Sequence, residues 1–258
     1  MGCACRGDAG LAHIGCLVQA AESHATYGSN KGWWECRTCK QDFTGAMRSG
    51  LADEWWMRMR DEPAENDDRL AAAGNLAASL VGQGKYTDAE QMQREVLDVK
   101  RRVLGPEHPG TLTTVGALAL SLLCQGKHAE AEQMGRELLG VQRRVLGPEH
   151  PRALITMNNL ASSVKGQGKH AEAEQMEREL LDVQRRVLGP EHPHTLTTMG
   201  PLAFSLGCQG KHAEAVQLQR EVLDVRRRVL GPEHPSTLAA INNLGFSLRD
   251  QGKHAEAK

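Results

Sequence analysis

Cysteine and histidine side chains gather near the N-terminus at spacings that suit a metal ion. They are Cys3, Cys5, His13, Cys16, Cys36 and Cys39. The set contains one C-x-C pair and one C-x-x-C pair, with a histidine between them. Thiolates and imidazoles at such intervals form the tetrahedral shell that Zn²⁺ prefers. The pattern therefore predicts a zinc site, and the alternative is a cysteine-bearing leader without metal.

Composition limits the cell compartment and the classes of partner that we expect for the chain. The chain has 258 residues, 24% of them charged, and a formal net charge of -1. This balance lacks the basic excess of nucleic-acid-binding proteins, and no apolar run reaches the roughly 18 residues of a membrane span. The N-terminal segment also lacks the pattern of a secretory signal. We expect a cytoplasmic protein without nucleic acid or membrane as partner, in which clustered cysteines indicate metal.

Lipidation is an alternative interpretation of the N-terminal segment. Met1-Gly2-Cys3 resembles an acylated start, with Gly2 myristoylated and Cys3 or Cys5 palmitoylated. The myristoylation pattern has Ser or Thr at position 6, whereas this chain has Arg6. That mismatch disfavours the anchor.

A repeat of fixed length organises the rest of the chain. The sequence LGPEHP occurs four times, starting at Leu104, Leu146, Leu188 and Leu230, always 42 residues apart. Such a period predicts one supersecondary unit that buries its apolar face against its neighbours. The units cover residues 67–108, 109–150, 151–192 and 193–234, with a partial fifth from Pro235.

Each unit carries two helical patterns separated by a Gly-containing turn. Apolar residues at steps of three and four indicate helices that bury one face. In the third unit, the first helix has Leu154, Met157, Leu160, Ala161 and Val164. The second has Ala173, Met176, Leu180, Val183 and Val187. Gly189 is predicted to cap this helix in a left-handed conformation, and Pro193 to open the next helix.

The helix-turn-helix unit resembles the tetratricopeptide repeat. Its extended form, with NNLA at 158–161, QGK at 167–169 and LGPEHP, is similar to the repeats of kinesin light chains. The resemblance implies an all-α, right-handed α-solenoid over residues 67–258. The chain departs from the family where an aromatic usually follows the second-helix alanine by four. Those positions hold Gln93, Gly135, Glu177 and Gln219. The heptad coiled coil of a motor subunit is absent from the sequence.

The cysteine cluster resembles the later six ligands of a RING-CH finger of the C4HC3 type. The family's cross-braced scheme implies that Cys3, Cys5, Cys36 and Cys39 share one zinc. His13 and Cys16 would belong to a second site whose earlier C-x-x-C is missing. We therefore expect a truncated zinc module over residues 1–48. The resemblance also implies an alternative function, a RING-type ubiquitin ligase that uses the repeats as substrate receptor.

Residues 49–66 are predicted to form a capping or linker helix. Its apolar face comprises Leu51, Trp55, Trp56 and Met59. Terminal repeats leave an apolar surface that needs such a cap. The histidines of LGPEHP and of the QGK turns recur at helix ends, where we expect hydrogen bonds to backbone and no catalytic or metal role.

Polar residues on the first helices of the units are the candidates for peptide binding. The family resemblance implies that these helices line a concave groove. The asparagines are Asn75, Asn158, Asn159, Asn242 and Asn243. An Asn side chain can pair both ends of a peptide amide, and Lys165 and Arg249 could meet a carboxylate. The alternative is that the asparagines hydrogen-bond neighbouring helices and stabilise their stacking.

Together these patterns predict a non-enzymatic interaction scaffold that binds an extended peptide. No phosphate loop, nucleophile triad or carboxylate pair is present in the sequence. The charge run containing Glu174 and Arg178 is interpreted as a solvated face of i,i+4 pairs. We also expect the fifth unit to expose Leu244 and Leu248, and the chain to self-associate there.

Overall fold

The structure is a computed structural model that describes residues 14–25, 30–36, 40–250 and 252, without the side chains of residues 24, 25 and 250. Four of the predicted zinc ligands, Cys3, Cys5, His13 and Cys39, lie outside these residues. The predicted acylation at Gly2 lies outside them as well. Cys16 and Cys36 are described.

Within the described residues the fold is all-α, because each apolar period of the sequence forms one helix. One short 3-10 helix, Asn30–Trp33, follows the first helix. The helices are α1 Ile14–Ala25, α2 Gly45–Met59, α3 Asp67–Gly82, α4 Tyr86–Val103, α5 Pro109–Cys124, α6 His128–Val145, α7 Pro151–Gly166, α8 His170–Val187, α9 Pro193–Cys208, α10 His212–Leu230 and α11 Pro235–Asp250. The pairs from α3/α4 to α9/α10 are the four predicted units, and α11 is the first helix of the fifth.

The helix boundaries follow the LGPEHP sequence. Gly189 has φ 94°, which places it in the left-handed region and ends α8 as expected. Pro193 occupies the first turn of α9, and His192 Nδ1 accepts a hydrogen bond from His194 N at 3.2 Å. The same cap recurs at the three equivalent histidines, His108, His150 and His234. The interpretation of the LGPEHP histidines as helix-end residues that hydrogen-bond backbone is confirmed, whereas Nδ1 of His128 and of His170, both at QGK turns, is buried without a hydrogen-bond partner.

The described contacts divide the chain into two units, residues 1–125 and 126–258. In the first unit, α2 buries Leu51 and Trp55 against a cluster that includes Ala72 of α3. The Trp33 ring stacks on Trp55 with centroids 5.6 Å apart. Helix α2 therefore covers the apolar face of the first repeat, as a cap would. It begins at Gly45, four residues before the predicted boundary.

The second unit contains the predicted core with one correction in the seam of α8. Every apolar residue named for α7 is buried, as are Ala173 and Leu180 of α8. Val187, predicted to continue that seam, is 47% exposed. The last turn of α8 thus extends beyond the helices that cover its earlier turns.

The apolar residues exposed on α11 also differ from the prediction. Leu248 is 3% exposed, and Leu244 packs against the core formed by α9 and α10. Leu238 and Ile241 are exposed instead, at 50% and 37%. In the preceding unit the equivalent residues are buried by α10, which packs against α9.

The charge run on α8 is not a purely solvated face. The predicted pair of Glu174 and Arg178 forms, but the Glu174 side chain is only 9% exposed. Its Oε2 accepts hydrogen bonds from Gln209 Nε2 at 2.7 Å and from Lys211 Nζ at 2.6 Å, both of the next QGK turn. Glu132 holds Gln167 and Lys169 in the same way. These glutamates join each repeat to the next.

Candidate peptide-binding groove

Three helices of the second unit enclose a cavity of about 700 Å³. Helices α9 and α11 form its sides and α10 forms its floor. Its apolar walls include Leu196, Pro201, Phe204, Val222 and Phe246. A volume of this size falls in the range of ligand sites, which are concave and mostly apolar with a few polar groups. We call this space the α9–α11 cavity.

Small residues keep the α9–α11 cavity open. Gly200 and Gly207 line it, and a Cβ added at either would meet no heavy atom within 4 Å. Gln219 lies on the floor and is 5% exposed. The two phenylalanines at the rim, Phe204 and Phe246, are more than half exposed. Apolar surface at an open cavity is available to a ligand.

A cation lies on the floor of the α9–α11 cavity. Arg226 Nη1 donates a hydrogen bond to Ser236 O at 2.9 Å. Burial lowers the pKa of this guanidinium, since desolvation disfavours the charged form. In the described part of the chain no carboxylate pairs with Arg226. The cavity therefore combines apolar walls with a donor that can meet a ligand acceptor.

An equivalent cavity of about 400 Å³ exists in the first unit, between α3, α4 and α5. Most of its lining residues stand 126 positions, or three repeats, before residues that line the α9–α11 cavity. They include Gly74, Val81, Gln93 and Lys100. Gln93 is 4% exposed and its Oε1 has no hydrogen-bond partner. Burial lowers the pKa of Lys100 against a smaller opposing effect of Asp67. We call this space the α3–α5 cavity.

The corresponding position between α7, α8 and α9 holds an ion pair. Lys165 Nζ lies 2.8 Å from Glu177 Oε1, and the two side chains are 17% and 2% exposed. Glu177 Oε2 accepts a hydrogen bond from Ser205 Oγ at 2.7 Å. The Phe204 ring lies over the ammonium, with Nζ 5.8 Å from its centroid.

The predicted asparagines all lie on first helices, with different degrees of exposure. Asn242 and Asn243 are exposed, and Asn243 lines the α9–α11 cavity. Asn158 and Asn159 are half-buried, as is Asn75, whose Nδ2 is buried without a partner. Hydrogen bonds recorded at 158 and 159 use their backbone oxygens. Among described residues, none of these asparagine side chains bonds a neighbouring helix.

The two predicted cations differ from each other. Lys165 already has a carboxylate partner in its own chain, Glu177, so the ligand carboxylate expected for it is not needed. Arg249 is exposed, with its guanidinium carbon 5.0 Å from the Phe246 ring centroid. Arg226 and Lys100, the cations that do line cavities, were not among the predicted site residues. Comparing positions 42 residues apart on the second helices would have identified them.

Backbone hydrogen bonds in the described part of the N-terminal module hold Cys36 close to Lys40 and Gln41. Cys36 N donates to Gln41 O at 2.8 Å, and Lys40 N donates to Cys36 O at 2.9 Å. Lys40 has φ 58°, a left-handed conformation that non-glycine residues seldom adopt. Cys36 is buried and Cys16 is exposed. Among the described residues, no three His, Cys, Asp or Glu side chains come together as a metal site.

Comparison with known families places the repeats. A profile of the tetratricopeptide repeat matches residues 68–144, 117–186, 165–226 and 195–258. The chain belongs to the tetratricopeptide repeat family. The match begins after the segment predicted as a finger, so the finger stays a prediction. No curated protein matches the chain.

Solved structures with a similar fold include repeats of the kinesin light chain type. One, a kinesin light chain of Podosopora anserina with nearly identical TPR-like repeats, is 28% identical with a TM-score of 0.67, over 76% of this chain and 92% of that chain. BtubC (BKLC) from P. vanneervenii is 18% identical with a TM-score of 0.67, over 83% and 87%. A Rap protein is 9% identical with a TM-score of 0.54, over 83% and 72%. The last two likenesses show the fold alone.

These matches confirm the predicted repeats and their likeness to kinesin light chains. Tetratricopeptide repeats indicate a protein that acts through protein–protein interaction, and nothing in the described residues indicates catalysis. None of the described helices is long and apolar enough to cross a membrane.

Proposed function

We propose that the chain is a non-enzymatic scaffold whose first helices bind an extended peptide of a partner protein. The observation that carries the proposal is the α9–α11 cavity, with apolar walls, exposed Phe204 and Phe246, and Arg226 on its floor. Asn243 lies at the same surface with no described partner, so its amide is available to a peptide backbone.

Two further features support peptide binding over a purely structural array. The α3–α5 cavity repeats the arrangement and contains a buried acceptor, Gln93 Oε1, without a partner. Leaving a buried polar atom unpaired costs about 1–3 kcal/mol, which a ligand N–H would recover. A Rap protein of the same fold is complexed with the Competence and Sporulation Factor. At 9% identity this likeness supports only the statement that a protein of this fold can bind such a partner.

The test is selection of peptides from a displayed library of random sequences, followed by affinity measurement with the selected peptides. The Gly207→Trp variant would fill the α9–α11 cavity without a clash at Cβ, because nothing lies within 4 Å of that position. We expect it to weaken binding at least about tenfold, as for the loss of one buried apolar contact.

Gly140→Trp is the matched control. Gly140 is exposed on α6, also has no heavy atom within 4 Å of an added Cβ, and lines neither cavity. This variant should bind with wild-type affinity. Failure to select any peptide, or equal loss of binding in both variants, would contradict the proposed groove.

We further propose that the N-terminal cysteines and histidine bind Zn²⁺, with Cys3, Cys5, Cys36 and Cys39 as one ligand set and His13 with Cys16 as part of another. The backbone hydrogen bonds that join Cys36 to Lys40 and Gln41 support this use, because paired zinc ligands need backbone segments that lie close together. Bound zinc would organise the segment ahead of α2.

Metal analysis of the purified chain tests the zinc proposal. We expect bound zinc in the wild type and a loss of it in Cys39→Ser, while Cys124→Ser, an exposed cysteine of α5, retains it. Equal zinc in all three proteins, or none in the wild type, would contradict the site. The ubiquitin-ligase alternative requires in addition that autoubiquitination depend on Cys36 and Cys39.

A further inference from the structure

Two successive sites in the second unit are built from the same three-helix arrangement. One site is an open cavity, and the other contains an ion pair. One is the open α9–α11 cavity. The other, between α7, α8 and α9, holds Lys165 and Glu177 in contact with Ser205 and beneath Phe204. The 42-residue step relates each residue of one site to a residue of the other.

Two of the positions that differ between the sites carry the ion pair itself. Lys165 corresponds to Gly207, and Glu177 corresponds to Gln219. The other two members of the closed site are conserved at the open one. Ser205 corresponds to Ser247, and Phe204 corresponds to Phe246. Ser247 and Phe246 line the α9–α11 cavity.

The α3–α5 cavity shows the same correlation independently. The positions equivalent to Lys165 and Glu177 are Val81 and Gln93, and both line that cavity. A long cation and its carboxylate are thus absent from both described cavities and present at the filled position.

We propose that Lys165 and Glu177 form a plug that closes the groove between α7, α8 and α9, so that a bound peptide places its apolar side chains in the α9–α11 cavity and not there. The inference rests on the proposed peptide-binding function for its ligand. The plug itself is a set of contacts within the chain.

The contacts explain why the plug stays closed. Glu177 is 2% exposed and both of its oxygens have donors, one from Lys165 on α7 and one from Ser205 on α9. Removing either partner leaves a buried charge without compensation, which folded proteins avoid. Phe204 covers the ammonium and limits its access to water. A ligand side chain would have to displace a satisfied pair.

A reciprocal exchange tests the plug. The double variant Lys165→Gly with Glu177→Gln copies the open site onto α7 and α8, and Gly207→Lys with Gln219→Glu copies the plug onto α9 and α10. Crystal structures of both should show a new cavity in the first and loss of the α9–α11 cavity in the second. Lys165→Arg is the control, since a guanidinium can keep the ion pair and the site should stay closed.

Peptide binding provides the second readout. Peptides selected on the wild type should bind the Gly207→Lys, Gln219→Glu variant at least about tenfold more weakly, the expected loss for one apolar contact. They should bind Lys165→Arg unchanged. Selection on the Lys165→Gly, Glu177→Gln variant should return peptides with an additional apolar side chain.

The two readouts separate the two hypotheses. If no peptide is selected on any variant, the proposed function fails, and the crystal structures still decide whether the pair controls the cavity. If the α9–α11 cavity persists in the Gly207→Lys, Gln219→Glu variant, the plug is wrong. If the Lys165→Gly, Glu177→Gln variant does not fold, the structure of the Gly207→Lys, Gln219→Glu variant remains the deciding measurement. That variant only adds side-chain atoms to an existing cavity.

Discussion

The ammonium of Lys165 lies 2.8 Å from Oε1 of Glu177, a carboxylate that is 2% exposed, although the two residues belong to different helices. Replacing one partner should be costly, because the other charge then stays buried without compensation. We predict that Lys165→Met lowers the free energy of unfolding by about 3 kcal/mol, the lower end for a broken buried pair. Urea unfolding measures this change.

The double variant Lys165→Met with Glu177→Met provides the control for that prediction. Apolar residues of similar size in place of both charges should recover most of the lost stability. A single variant as stable as the wild type would show that the pair is solvated. The account of the plug would then be contradicted.

Acid should destabilise the repeats through the glutamates that join them. Burial of Glu174 would raise its pKa, but hydrogen bonds from Lys211, Arg178 and Gln209 lower it from 4.5 to about 2. The pKa of Glu132 is likewise lowered to about 2, mainly by the hydrogen bond from Lys169. Between about pH 5 and pH 2 the unfolded chain binds more protons than the folded chain, so stability falls as the pH falls.

Thermal unfolding at several pH values measures this dependence. Glu174→Gln removes one of the titrating groups and should make the melting temperature less sensitive to pH in that window. Glu95→Gln, on an exposed face of α4, is the control and should leave the pH profile unchanged. A wild-type melting temperature that is constant from pH 5 to pH 2 would contradict the assigned role of these glutamates.

The histidine caps should contribute measurable stability. His150 Nδ1 accepts a hydrogen bond from Arg152 N at 3.2 Å and so satisfies a donor at the start of α7. His150→Ala should cost about 1 kcal/mol, whereas His150→Asn should retain most of the cap. Urea unfolding of both variants tests this, with Glu95→Gln on the exposed face of α4 as a substitution outside the caps. Equal stability of all three variants would contradict it.

Self-association is expected through α11, at residues that differ from those the sequence indicated. Leu238 and Ile241 are exposed, whereas their equivalents Leu196 and Met199 are 7% and 0% exposed. Covering such apolar side chains favours association. Sedimentation velocity over a range of concentrations should show association in the wild type and a monomer for Leu238→Glu with Ile241→Glu. A wild-type monomer at every concentration would refute this.

The repeats could be predicted from the sequence because their determinants are local. The apolar period, the glycine at φ 94° and the proline after it all act within one helix or turn. For the groove, the sequence predicted only which helices line it and not where its cavities lie. Its cavities depend on which side chains of three helices meet, and Glu177 meets Lys165 across a turn, 12 residues away. The sequence marked Glu177 as unusual without identifying its partner.

Burial could not be read from residue type either. Glu174 was predicted to lie in solvent because its own helix shows an i,i+4 charge pattern. Its contacts with Gln209 and Lys211 come from the next repeat, 35 and 37 residues later. Leu248 was expected to be exposed and is buried for a related reason, since exposure depends on the neighbouring helix and not on the residue type.

A partner peptide is proposed to lie on the surface formed by α9 and α11. Photo-crosslinking tests it most directly, with p-benzoylphenylalanine in place of Phe204, of Phe246 or of Val145, the last being an exposed residue of α6 that lines neither cavity. We predict that a library-selected peptide crosslinks to the first two positions and not to the third. Crosslinking at Val145 alone, or equally at all three positions, would contradict the claim.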